Sequence, residues 1–140
     1  MTTPVREAEL PLMAGRLLEA LPRGAVLWLT GDLGAGKTTL VRSIVRALGA
    51  REDATSPTFG LAHRYDSPGG PVFHVDCYRL RVPEEAAELD WGELASGRLL
   101  LVEWPHRGGP WVPPPTLTVH LTAGPDPESR LLATDPPGVT

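Results

Sequence analysis

The residues best suited to chemistry are residues 31–38, which read GDLGAGKT and match the phosphate-binding pattern G-x-x-x-x-G-K-[ST]. Lys37 in this segment is the only lysine; the other positive charges are all arginine. Glycines let backbone N–H groups converge on phosphate oxygens, and lysine is a compact charge on a flexible stem. The pattern predicts that Lys37 binds the outer phosphates of a nucleotide and that the Thr38 hydroxyl binds Mg²⁺. The predicted contacts are Asp32, Leu33, Gly34, Ala35, Gly36, Lys37, Thr38 and Thr39. The alternative is an ordinary glycine turn with a surface lysine.

Two carboxylates follow apolar runs that are typical of buried strands. Asp76 comes after residues 72–75 (VFHV), and Glu103 comes after residues 99–102 (LLLV). The carboxyl ends of strands in an open α/β sheet meet at one crevice, so both side chains are predicted to reach the metal held by Thr38. A carboxylate beside the metal is a requirement of nucleotide hydrolysis. Taken without the loop, either residue reads equally well as a solvated acid at a strand end.

Residues 56–58 and Trp104 are further candidates. Ser56, Pro57 and Thr58 offer hydroxyls and a rigid proline, so this segment could order around an outer phosphate, although turn chemistry alone favours a simple turn. Trp104 could stack on a nucleobase or pack in the core. Guanine-specific phosphate-loop switches use an Asn-Lys-x-Asp segment, and the absence of a second lysine favours adenine.

The elements that would position these residues follow from apolar spacing. Residues 25–29 are a continuous apolar run that predicts a buried strand, and residues 40–48 have helical spacing and end at Gly49. The loop therefore lies between a strand and a helix. Other predicted elements are a helix within 5–21 that starts near Pro11, a hairpin from 59–65 and 72–75, a short acidic helix at 83–89, and strands at 99–102, 116–121 and 130–133. The 140 residues predict one domain over 1–140, with a proline-rich, loosely structured tail from about residue 122.

Composition narrows the class of protein. A net charge of −4 and a pI near 5.5 argue against a broad basic face that grips nucleic acid, so any connection with RNA is predicted to be indirect. Cys77 is the only cysteine, which excludes a disulfide framework and favours an intracellular, reducing compartment. No run approaches the roughly 18 apolar residues of a membrane span. We expect a cytoplasmic protein without membrane contact.

Four segments together resemble one family. Residues 31–39, 56–59 (SPTF), 74–80 (HVDCYRL) and 102–105 (VEWP) look like the TsaE family, formerly known as YjeE, in the family's order and spacing. Its members are small bacterial P-loop ATPases required for the threonylcarbamoyladenosine modification of tRNA. The resemblance covers roughly residues 15–107. It implies a single-domain P-loop NTPase-like α/β fold, with a largely parallel central sheet flanked by helices and a β-hairpin after the loop helix.

The resemblance also implies roles for residues. Slow, Mg²⁺-dependent ATP hydrolysis would use Lys37, with Asp76 and Glu103 serving the metal and the water. Residues 56–58 would form a switch-like segment. Trp104 would lie against adenine, and Arg130 is the candidate for a basic nucleotide contact near the C-terminal strands.

The implied partners are the threonylcarbamoyl transferase subunit TsaD and its paralogous partner TsaB, with tRNA contacted only indirectly. Two alternatives stay open at this point. One is a small nucleoside or metabolite kinase on the same fold, which would need an acceptor pocket and usually an arginine-bearing lid. The other is a nucleotide-gated binding module without meaningful catalysis.

Overall fold

A seven-stranded sheet forms the centre of the molecule. The computed structural model describes residues 2–50 and 61–139. The strands are β1 (Thr3–Arg6), β2 (Ala25–Thr30), β3 (Ala62–Ser67), β4 (Gly70–Asp76), β5 (Leu99–Glu103), β6 (Leu117–Ala123) and β7 (Ser129–Asp135). The helices are α1 (Leu10–Glu19), α2 (Lys37–Ala47) and α3 (Trp91–Leu94), with 3-10 segments at Glu7–Glu9, Cys77–Arg79, Pro83–Glu88 and Pro105–Trp111.

The strand order is β1-β7-β6-β2-β5-β4-β3. The inner strands β6, β2, β5 and β4 run parallel to one another. β3 pairs with β4, β7 with β6 and β1 with β7 in antiparallel register at the edges. β2 and β5 read as apolar runs because both faces of the sheet are covered at this point. The prediction of an α/β fold with a largely parallel central sheet is confirmed.

Each face of the sheet has its own core. α1 and α2 pack over one face, where Leu27, Leu29 and Leu101 lie at most 1% exposed. α3 and the 3-10 segments at 77–79, 83–88 and 105–111 cover the other face, where Val102 and Phe73 belong to the second apolar cluster. Paired residues of neighbouring strands share a face, so Glu103 projects on the same side as α2.

The N-terminal helix begins where its proline allows. α1 starts at Leu10, and Pro11 lies in its first turn. Backbone N–H groups in a first turn have no acceptor within the helix, so a proline there loses no hydrogen bond. Its buried stripe contains Leu10, Met13, Ala14 and Leu17. The predicted helix within 5–21 is therefore present, but residues 3–6 form an additional strand that apolar spacing does not indicate.

The C-terminal region differs from the loose tail expected from about residue 122. β6 continues to Ala123, and β7 (Ser129–Asp135) pairs with β6 on one side and β1 on the other. Leu132 is fully buried in the core on the α1–α2 face. β7 contains the strand predicted at 130–133. The prolines between β6 and β7 mark a tight connection, and the pairing with β1 supplies order that the proline content does not indicate. The acidic segment predicted as a helix at 83–89 is a 3-10 segment, Pro83–Glu88.

Candidate functional site

The glycine-rich loop lies between the carboxyl end of β2 and the start of α2. Gly31 has φ of 136°, and a Cβ there would lie 2.1 Å from the Leu121 carbonyl oxygen, so no other residue fits without a backbone shift. Gly36 has φ of 99° and precedes the first residue of α2. The loop is thus held against β6, and the positive end of α2 faces the cleft above it.

The Lys37 ammonium lies inside the loop. Its Nζ donates hydrogen bonds to the backbone oxygens of Gly31 and, at 2.7 Å, Asp32. The residue is only 5% exposed. Burial lowers the pKa of Lys37, and the carboxylates of Glu103, Asp76 and Asp32 act in the opposite direction. Two backbone carbonyl groups thus hold the ammonium within the glycine-rich loop.

The two predicted carboxylates are neighbours. Asp76 and Glu103 are paired in the parallel register of β4 and β5. The Thr38 hydroxyl is 3.4 Å from both Glu103 carboxylate oxygens, and Asp76 accepts a hydrogen bond of 3.0 Å from the backbone N–H of Tyr78. A hydroxyl and two carboxylates are oxygen donors of the kind that Mg²⁺ takes, so these residues fit that ion.

A protein-only metal cage is not found here. In residues 2–50 and 61–139, no group of three or more His, Cys, Asp and Glu side chains is arranged to hold a metal ion. Mg²⁺ usually keeps several waters and binds through one or two carboxylates plus substrate phosphates. The donors at this cleft match that partial set.

His74 is the functional candidate that sequence reasoning missed. Its Nε2 is 2.6 Å from Glu103 Oε2, and the two side chains are 9% and 3% exposed. The opposite residue on β3 is His63, whose ring stacks on that of His74 with centroids 6.1 Å apart. The signal was available: His74 and Asp76 are two residues apart in one strand and so share a face. Burial, then the nearby His74, lowers the pKa of His63.

Arg130 reaches the loop from β7. The residue is 9% exposed, and a Cβ on Gly36 would lie 2.6 Å from the Arg130 Cζ. Arg130 Nη1 is the buried side-chain nitrogen or oxygen that has no hydrogen-bond partner within the described part of the chain. A buried donor without an acceptor is costly, and this one adjoins the predicted phosphate site.

Trp104 lies at the same end of the cleft as Lys37. Its ring centroid is 4.6 Å from Lys37 Nζ and 5.1 Å from the Tyr78 ring. Trp104 follows β5 in a left-handed conformation, with φ of 55°, which is uncommon for a bulky residue. The ring thus lies against Lys37 and Tyr78, and its stacking on adenine stays a prediction.

These side chains line one cleft of about 280 Å³, whose lining is Leu33, Gly34, Gly36, Lys37, Thr38, Thr39, Asp76, Tyr78, Glu103, Trp104 and Arg130. Asp32 contributes its carbonyl to Lys37, and Ala35 is buried in the core on the α1–α2 face. The predicted switch-like residues Ser56, Pro57 and Thr58 lie outside the described residues. None of the described helices is long and apolar enough to cross a membrane.

Comparisons with known proteins agree on one family. Residues 5–131 match the family model described as "Threonylcarbamoyl adenosine biosynthesis protein TsaE". A Rickettsia conorii "tRNA threonylcarbamoyladenosine biosynthesis protein TsaE" is 37% identical over 118 residues, which are 84% of this chain and 67% of the relative. A Nostoc sp. protein of the same name is 40% identical over 125 residues, covering 84% of this chain and 75% of the relative. The crystal structure of Bacillus subtilus YdiB superposes with a TM-score of 0.73 at 28% identity, covering 96% of this chain and 82% of that one.

Proposed function

The chain belongs to the TsaE family of tRNA threonylcarbamoyladenosine biosynthesis proteins, and on that premise we propose that it binds ATP with Mg²⁺ and hydrolyses it slowly in support of that modification. One observation carries the nucleotide part of the proposal. The unpartnered, buried Nη1 of Arg130 lies against the glycine-rich loop that also holds Lys37. An anionic ligand would satisfy this donor, and a phosphate group matches the fork of a guanidinium.

The cleft would divide the nucleotide between two sets of groups. Lys37 and the N–H groups at the start of α2 would bind phosphate oxygens, with Arg130 against the loop from the β7 side. The oxygen donors that would hold Mg²⁺ are those of Thr38, Glu103 and Asp76. A bound Mg²⁺ would neutralise the negative charge that develops on the phosphates during hydrolysis. Glu103 adjoins the Thr38 hydroxyl on the cleft side, so one oxygen of its carboxylate would also orient a water beside the metal.

Besides the contact with adenine that the resemblance implies, Trp104 would respond to the outer phosphates. Its ring covers the Lys37 ammonium at 4.6 Å, so an incoming outer phosphate would displace the lysine or the indole from that contact. The intrinsic fluorescence of Trp104 is therefore expected to change when nucleotide binds.

The proposed setting is a complex with the threonylcarbamoyl transferase subunit and its paralogous partner. The acidic net charge of −4 supports contact with protein partners rather than a direct grip on tRNA. In such a complex, ATP binding and turnover would reset the machinery and would not form the modified base.

A single-turnover assay tests the proposal. The chain, alone and with the two partner proteins, is mixed with radiolabelled ATP and Mg²⁺ at protein excess, and released phosphate is measured against time. We expect hydrolysis that is faster with the partners and absent without Mg²⁺. ATP binding with no hydrolysis in the assembled mixture would identify a nucleotide-gated binding module. Failure to co-elute with the partners on gel filtration in ATP and Mg²⁺ would count against the complex.

A further inference from the structure

From the buried contact between His74 and Glu103, we infer that His74 is a positioning residue that sets the orientation of the Glu103 carboxylate for ATP hydrolysis. The inference rests on the proposed function, because it assigns His74 a part in the hydrolysis step attributed to Glu103. It concerns a hydrogen bond within the protein and not a new ligand.

The contact has a defined donor and acceptor. An ionised carboxylate only accepts hydrogen bonds, so the proton between Glu103 Oε2 and His74 Nε2, 2.6 Å apart, belongs to the histidine. Because the His74 and Glu103 side chains are only 9% and 3% exposed, water has little access to replace the histidine at Oε2. We therefore assign His74 Nε2–H as the donor in this contact.

Glu103 needs such a partner to have one orientation. The last torsion of a glutamate side chain joins sp³ and sp² carbons and has a broad, weak preference, so hydrogen bonds decide where its two oxygens point. The Thr38 hydroxyl is equally distant from both oxygens, at 3.4 Å, and does not distinguish between them. The His74 bond selects Oε2 and leaves Oε1 for the cleft.

The imidazole is itself held in place. β4 places His74 opposite His63 in the antiparallel ladder, and their rings stack with an interplanar angle of 23°. His74 also lies on the central side of this hairpin, next to β5. His74 on β4 thus orients Glu103 on the neighbouring strand β5, and His63 on β3 holds the His74 ring by stacking.

Two matched variants separate positioning from simple packing. His74→Gln keeps an amide N–H near the place of Nε2, whereas His74→Asn keeps the same group on a side chain too short to reach Oε2. His120→Gln is the control for loss of an imidazole, because His120 is exposed and bonds Thr30 away from the carboxylates. For each protein, the ATP dissociation constant and the single-turnover rate are measured under conditions that support wild-type hydrolysis.

We expect His74→Asn to lower the rate about 10-fold to 100-fold, the range that follows from small misplacement of a reacting group, with less than about a threefold change in ATP affinity. His74→Gln should recover most of the rate. In a Glu103→Gln background, His74→Asn should cause no further loss, because there is no carboxylate left to orient. An equal loss in both backgrounds, or wild-type turnover in His74→Asn, would overturn the inference.

Failure of the proposed function gives a different result. If wild-type protein with its partners hydrolyses no ATP, the proposed function fails and the positioning role fails with it. If the wild type is active and His74→Asn is equally active, only the inference fails. Should His74→Asn not fold, nitrogen-15 spectra of the wild-type histidines with a non-hydrolysable ATP analogue and Mg²⁺ decide the matter: an Nε2–H tautomer at His74 supports the bond, and an Nδ1–H tautomer refutes it.

Discussion

Replacing Arg130 by methionine is expected to stabilise the free protein and to weaken ATP binding at the same time. Arg130 is 9% exposed and its Nη1 has no partner within the described residues. An unsatisfied buried donor costs about 1–3 kcal/mol, and methionine removes it while retaining an unbranched apolar stem. We therefore expect the free energy of unfolding to rise by about 1 kcal/mol, or about 3 °C in Tm for a domain of this size.

The effect on ATP has the opposite sign. A hydrogen bond from a charged donor is worth about 1.5–3 kcal/mol, so loss of the phosphate contact should raise the Kd for ATP about tenfold to about 150-fold. Isothermal titration calorimetry gives the Kd, and urea denaturation of the free protein gives the free energy of unfolding. Arg16→Met is the control, because Arg16 is an exposed arginine on α1; both quantities should stay near wild type.

The opposite signs are the diagnostic feature. A guanidinium that merely packs against Gly36 would cost stability when removed and leave the Kd unchanged. Arg130→Met that is less stable than wild type and binds ATP normally would refute the reasoning, since the nitrogen would then have served the fold and not a ligand.

Three further outcomes follow from the structure. Gly31→Ala should lower the free energy of unfolding in urea by about 2 kcal/mol or more, because the added Cβ would lie 2.1 Å from the Leu121 carbonyl oxygen. The control Gly15→Ala adds a Cβ with nothing within 4 Å in a helix interior and should raise the free energy of unfolding by about 0.5–1 kcal/mol. Equal effects of the two substitutions would contradict the close approach at Gly31. The Glu103→Ala variant should bind ATP but show no hydrolysis in the single-turnover assay, and wild-type protein in EDTA should also show no hydrolysis. Wild-type turnover in the variant would remove Glu103 from the mechanism. Cys77 is fully buried, and this burial, together with the negative charge of Asp76, raises the pKa of its thiol to about 12. At pH 8 about one thiol in 10⁴ is then ionised, so labelling by Ellman's reagent should occur only after unfolding. Fast labelling of the folded protein would show that the region around Cys77 opens.

The centre of the fold was open to prediction because its signals are local. The continuous apolar runs of β2 and β5 arise from burial on both faces, and the glycine-rich pattern lies between a strand and a helix that each show their own spacing. The edge strands of the sheet were harder to predict. β1 is a four-residue strand containing Pro4, and its order depends on pairing with β7, which lies more than a hundred residues further along the chain.

Within the candidate site, most of the residues that the sequence singled out line one cleft, but their contacts were harder to predict. Asp76 and Glu103 follow strands, and their pairing in register agrees with the rule that strand ends share a crevice. Trp104 follows β5 too, but its left-handed backbone conformation turns the ring over Lys37. Nothing in the local pattern indicates that conformation for a tryptophan.

The sequence by itself determined the glycine-rich loop, the strand and helix that hold it, and the order of the segments that resemble the TsaE family. Backbone conformation and apolar periodicity depend on neighbours along the chain. Only the tertiary structure decided that Arg130 lies against Gly36 and that His74 bonds Glu103 across 29 positions. These contacts depend on strand order and register, which arise from the packing of the whole sheet. Lys37 shows both levels: its place in the pattern is local, and its burial under Trp104 is not.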